Sequence, residues 1–151
     1  MDKDDPEISV EQARRHLESD PHCVYLDVRT ESEYLAGHVP GALNVPVALL
    51  NPLTGKMELN PDFLRVVTGV LDRKTPIVCG CRSGGRSCTA ALLLRENGYA
   101  NAVSMFGGFY GVKDADGQIT VEGWSTLGLP VHRGSEEGKG YTELSRKATT
   151  Q

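Results

Sequence analysis

At 151 residues and 16.3 kDa the chain has room for one hydrophobic core rather than two. Sixteen Lys and Arg against twenty Asp and Glu leave a net charge of −4, which excludes the basic footprint of a nucleic-acid binder. No apolar run approaches the ~20 residues of a membrane-spanning helix, and the acidic start, Met1 to Pro6, lacks the basic and apolar stretches of a secretory signal. Three of the four cysteines, Cys79, Cys81 and Cys88, crowd together, so reduced thiols in a cytoplasmic setting fit better than a disulfide framework. A plastid or mitochondrial chain shorn of its transit peptide would look the same.

The chain divides into a polar N-terminal extension (1–7), one folded domain (8–132) and a polar C-terminal segment (133–151) expected to be mobile. Ser9 with Gln12 forms a capping box, opening a helix that runs to about Glu18. Cys23 to Val28 is a short, nearly continuous apolar run, as in a strand buried on both faces. Thr30 to Gly37 predicts a helical turn or two ending in glycine. Ala42 to Val45 is a second strand. Asn60-Pro61 opens a helix with Pro at its first position, and Phe63, Leu64, Val67 and Leu71 recur at helical spacing. Ile77 to Cys79 is a strand, Ser87 to Glu96 a helix, and Ala102 to Met105 a further strand. Asp114 to Gln118 is a polar turn of a small insertion. Strands alternating with helices predict an α/β fold with a central, mostly parallel sheet and helices on both faces.

The chemistry concentrates in Cys81-Arg82-Ser83-Gly84-Gly85-Arg86-Ser87, which links a strand to a helix. Ligands of open α/β sheets lie at the carboxyl ends of the strands. A loop entering a helix N-terminus turns backbone N–H groups inward and attracts anions. A free thiol is only a few per cent ionised at neutral pH, and inward amides with Arg82 and Arg86 are the arrangement that favours a thiolate nucleophile. Three other readings compete with this one. Gly80 to Ser87 nearly fits a nucleotide phosphate loop, but Arg86 stands where Lys is required. A cysteine phosphatase needs one residue more between its Cys and Arg than the four found here. Zinc on Cys79, Cys81 and Cys88 lacks the usual ligand gap and a fourth ligand. An ordinary strand-to-helix turn is the plainest alternative.

The sequence resembles the rhodanese family, and within it the single-domain thiosulfate sulfurtransferases of the plant type. Leu26-Asp27-Val28-Arg29-Thr30, Glu33-Tyr34 and Gly37-His38-Val39-Pro40-Gly41-Ala42 with Asn44-Val45-Pro46 are similar to its N-terminal signature. Cys81 to Ser87 is similar to its active-site loop in the six-residue form, and Gly107-Gly108-Phe109 with Gly128-Leu129-Pro130-Val131 to its C-terminal signature. The family has Trp soon after the double glycine. Here Trp124 comes later, so residues 113–123 are expected to be an insertion.

The resemblance implies a rhodanese-like fold and a transfer of sulfane sulfur through a Cys81 persulfide, with no metal or organic cofactor. The donor would be a small anion, thiosulfate or a relative. The acceptor would be cyanide, a thiol or a protein. Alternatives are an arsenate reductase or phosphatase of similar fold, or a non-enzymatic sulfur-carrier or binding module. Arg82, Ser83, Gly84, Gly85, Arg86 and Ser87 are the expected substrate-binding residues, with Arg86 equally suited to bracing the loop. Asp27 and Arg29 are expected to pair in structural support, and His38 and Glu33 to be structural. Cys79 and Cys88 are expected to be core side chains, with a resolving role for Cys79 kept open.

Overall fold

The computed structural model describes residues 5–149. Residues 1–4 of the expected N-terminal extension and 150–151 of the C-terminal segment lie outside the described residues. Five parallel strands form the central sheet in the order β1 (Glu7–Ile8), β7 (Ala102–Met105), β6 (Ile77–Gly80), β2 (Val24–Asp27) and β3 (Leu43–Asn44). The register pairs Leu26 with Cys79 and Asp27 with Gly80, so β2 and β6 end side by side.

Because side chains alternate along a strand, each strand feeds two cores. On one face Leu26, Val28, Ile77, Cys79 and Ala102 meet α3 (Phe63–Val70) and α4 (Gly85–Glu96). On the other, Tyr25, Val78 and Met105 meet α1 (Val10–Ser19) and α2 (Glu31–Ala36). This is the layered parallel sheet that the alternation of elements predicts. The expected capping box of Ser9 with Gln12 is present at α1, and the structure adds a second, Thr30 with Glu33, at α2.

Two antiparallel hairpins decorate the sheet. β4 (Ala48–Leu50) pairs with β5 (Met57–Leu59), and β8 (Val112–Lys113) with β9 (Ile119–Val121). The second occupies the segment expected to be an insertion. Its base is pinched where Gly111 and Gly123 meet; a Cβ on Gly123 would overlap the Gly111 nitrogen. Trp124 follows at once, buried, its ring against Tyr25 and its indole N–H donating to the Pro130 carbonyl at 2.7 Å.

Three expectations need correction. The helix after Asn60-Pro61 starts at Phe63, because the Asn60 side chain accepts from the Asp62 N–H and holds the first residues in a turn. The helix after the glycine-rich loop starts at Gly85 rather than Ser87. The polar segment 133–149 is packed on the domain and carries α5 (Tyr141–Thr149), with Leu144 buried against the core. Gly69 in α3 makes this contact close: a Cβ there would come within 2.7 Å of Ala148.

Candidate active site

Cys81 follows β6 at the carboxyl edge of the sheet, where the following loop turns into α4. Gly80 precedes it because the Tyr25 hydroxyl fills the space that a Cβ would need. The Cys81 side chain is only 2% exposed. Its Sγ accepts the Gly84 N–H at 3.1 Å and lies 3.4 Å from the Ser87 hydroxyl. Gly84 caps α4 at φ +141°, a conformation that suits glycine. The first-turn N–H groups of α4 have no partner inside the helix, so the loop interior faces the positive end of its dipole.

A hydroxyl chain backs the sulfur. Ser87 Oγ lies 2.8 Å from Ser104 Oγ and 3.1 Å from the Gly84 carbonyl, to which it donates. When Cys81 is a thiol, its S–H donates to Ser87. When it is a thiolate, Ser87 can turn its proton to the sulfur while Ser104 donates to Ser87. Sequence reasoning missed Ser104. The signal was a lone hydroxyl within a buried strand, fully buried here and paired across the register with Cys79.

The double glycine clasps the outside of the loop. Gly107, Phe109 and Tyr110 N–H groups donate to the carbonyls of Ser83, Cys81 and Arg82 at 2.9, 2.8 and 3.0 Å. Gly108 sits at φ +60°, and a Cβ on it would come within 2.6 Å of the Arg82 and Cys81 carbonyls. Only glycine fits there.

The two loop arginines diverge. Arg86 gives both terminal nitrogens to Glu33 at 2.8 and 3.0 Å, so its fork braces the loop on α2 and is not free for the loop interior. Burial alone would raise the Glu33 pKa, but the Arg86 hydrogen bonds and charge outweigh it and hold the carboxyl down at about 2. Arg82 is exposed on the rim, its guanidinium 5.5 Å from the Tyr110 ring centre. Beside it opens a cavity of about 500 Å³ lined by Arg82, Ser83, Tyr110, Lys113, Ile119 and Thr126. Ser83 and Gly85 are exposed and Gly84 is buried.

Asp27 and Arg29 pair at 2.7 Å, both about 1% exposed. Arg29 also donates to the Gly37 carbonyl and stacks 4.6 Å from the Phe109 ring centre, tying β2 to α2 and to the double-glycine clasp. Its pKa is raised because the bonds and charge of Asp27 overcome the opposing burial. Cys79 points into the core, and burial, with the nearby Cys81 adding to it, pushes its thiol far up. Burial likewise raises Cys88, aided by Glu7 and Asp5, and lifts Cys23 to about 11. His38 is fully buried, hydrogen-bonded and stacked on Tyr34, away from the sulfur's own contacts.

Residues 9–115 match the model of the Rhodanese-like domain. The chain belongs to the rhodanese family. Thiosulfate sulfurtransferase 16, chloroplastic, of Arabidopsis thaliana is 41% identical over 107 residues, 71% of this chain and 78% of the relative. Protein HIGH ARSENIC CONTENT 1, mitochondrial, of the same plant is 37% identical over 91 residues, 60% of this chain and 53% of that longer protein. The crystal structure of Rv0390 from M. tuberculosis superposes with a TM-score of 0.69 at 32% identity, covering 85% of this chain and 97% of the other. Rhodanese-family membership agrees with a parallel sheet whose C-terminal edge presents a cysteine loop. No helix among the described residues is long and apolar enough to cross a membrane.

Proposed function

We propose that this rhodanese is a sulfurtransferase that takes sulfane sulfur from thiosulfate, or a related small anionic donor, onto Cys81. The observation that carries the proposal is the Gly84 N–H directed at Cys81 Sγ, 3.1 Å away, where the unpaired amides of α4 begin. The Cys81 thiolate attacks the outer sulfur of thiosulfate. The S–S bond breaks and sulfite leaves with its electron pair. A Cys81 persulfide remains, its negative terminal sulfur stabilised by the amides of Ser83 to Ser87. Cyanide, or a thiolate acceptor, then attacks that terminal sulfur, and the Cys81 thiolate departs. Splitting the transfer in this way is covalent catalysis with ping-pong kinetics. The exposed Arg82 meets the incoming anion at the rim, while Arg86, Asp27 and Arg29 keep the loop in shape.

The likeness to the two sulfurtransferase and arsenic-named relatives raises arsenate as the other oxyanion chemistry. The loop favours sulfur, since only four residues separate Cys81 from Arg86. The relatives named as chloroplastic and mitochondrial support the organelle alternative that the sequence left open beside the cytoplasm.

Intact-mass spectrometry after thiosulfate treatment tests the reaction. Cys81 gains one sulfur atom, and Cys81→Ser gains none and releases no sulfite. Extra sulfur on Cys79 or Cys88, or sulfite release by Cys81→Ser, refutes the assignment. Arg82→Ala raises the apparent KM for thiosulfate more than it lowers kcat; the reverse pattern makes Arg82 structural.

A further inference from the structure

On the α2 side of the sheet, His38 and His132 face each other across an isolated antiparallel bridge. Each backbone N–H donates to the other's carbonyl at 2.9 Å. Their rings therefore lie side by side, with centres 5.2 Å apart. Four residues further on, Glu136 turns back to place Oε1 2.9 Å from His38 Nε2. One ligand atom from each of the three residues lies within 4.8 Å of the others.

The His38 ring is fixed in the orientation a metal ligand needs. Tyr34 stacks on it at 3.7 Å, and His38 Nδ1 lies 2.7 Å from the Tyr34 carbonyl. A carbonyl only accepts, so Nδ1 carries the proton and Nε2 is the atom presented to Glu136 and His132. An outer hydrogen bond of this kind orients and strengthens an imidazole ligand. Glu136 Oε1 also accepts the Gly41 N–H at 3.0 Å, which holds the carboxylate in place beside the ring. Glu136 and His132 are only half-buried, so an ion can reach them from solvent.

We propose that His38, His132 and Glu136 form a binding site for a divalent transition ion of the zinc class. Two imidazoles and one carboxylate are a hard-to-intermediate N/O set that suits Zn²⁺ in a tetrahedral arrangement with water in fourth place. Metal–ligand distances of about 2.0–2.2 Å set neighbouring ligand atoms roughly 3.3 Å apart. The His38–Glu136 separation opens by a few tenths of an ångström as the ion replaces the proton between them, and His132 closes in. The ion takes no part in the sulfur chemistry. It staples the segment after His132 to the loop 37–41, alongside the bonds from Asn44 N–H to the Lys139 carbonyl and from Gly134 N–H to the Leu35 carbonyl.

Isothermal titration of Zn²⁺ into full-length protein with its accessible thiols blocked by N-ethylmaleimide tests the site. One ion binds per chain and raises the unfolding temperature. His132→Ala and Glu136→Gln each remove a ligand, so each weakens binding by more than the roughly 10–100-fold that loss of an outer-shell partner causes, and each abolishes the thermal shift. In the wild-type protein, zinc moves the ¹⁵N resonances of His38 Nε2 and of one His132 ring nitrogen but leaves His38 Nδ1–H in place. No uptake by the wild-type protein, uptake by the variants as tight as the wild type's, or unmoved histidine resonances overturns the proposal.

Discussion

Gly108→Ala isolates the clasp that shapes the candidate active loop. The new methyl would stand 2.6 Å from two loop carbonyls, so the rim and the loop must part by about 0.8 Å to reach ordinary contact. Alanine at φ +60° adds about 1–2 kcal/mol of backbone strain. Weakening the three hydrogen bonds from 107–110 to 81–83 adds about 1 kcal/mol for each bond lost. The variant is therefore expected to lose about 2–4 kcal/mol in urea unfolding. Displacing the loop by most of an ångström is expected to slow sulfite release by up to about 100-fold. The rate at which iodoacetamide alkylates Cys81 should change too, a readout that does not depend on the substrate. Gly117→Ala is the control. Gly117 also has positive φ, at +82°, but nothing lies within 4 Å of its added methyl. It should lose only the strain energy and keep its activity. Full activity and unaltered alkylation in Gly108→Ala, or an equal loss in Gly117→Ala, would refute the reasoning.

Two further outcomes are expected. Glu33 titrates at about 2 when folded, below its ordinary 4.5, so its pairing with Arg86 stabilises the protein fully above the unfolded value and that contribution fades as pH falls from about 4.5 towards 2. Glu33→Gln should remove this acid-dependent part of the urea midpoint; an unchanged pH profile would show that the pair adds nothing to stability. Leu144→Ala should cost about 2–5 kcal/mol by opening a cavity between α5 and α3. A loss within 0.5 kcal/mol or so, the range of ordinary surface changes, would mean that α5 is not held by that contact.

The parts of the fold visible in the sequence are those with strong local patterns. The apolar runs of β2, β6 and β7, the Ser9–Gln12 capping box and the glycine-rich loop each carry their own signal. What escaped depends on distant partners. β1 is two residues long and exists because Glu7 and Ile8 pair with Ser104 and Met105. The β4–β5 hairpin exposes Leu50, Met57 and Leu59, so it lacks the inward alternation that marks a strand. α5 buries one leucine in a polar sequence, and its docking depends on the absence of a side chain at Gly69, far away in α3. At the site, Cys81, the glycines and Arg82 were legible in one stretch of chain. The partner of Arg86 was not, since Glu33 is brought to it by the fold. Ser104 was hidden for the same reason.

With Arg86 moored to Glu33, the cup around Cys81 has its working outline before any anion arrives. In the proposed transfer, loading sulfur on Cys81 would then need no large inward swing, and unloading it no relaxation. Selection among donors would then fall to the outer lip, where Arg82 lies over Tyr110, and a change of clientele in this scaffold would begin there.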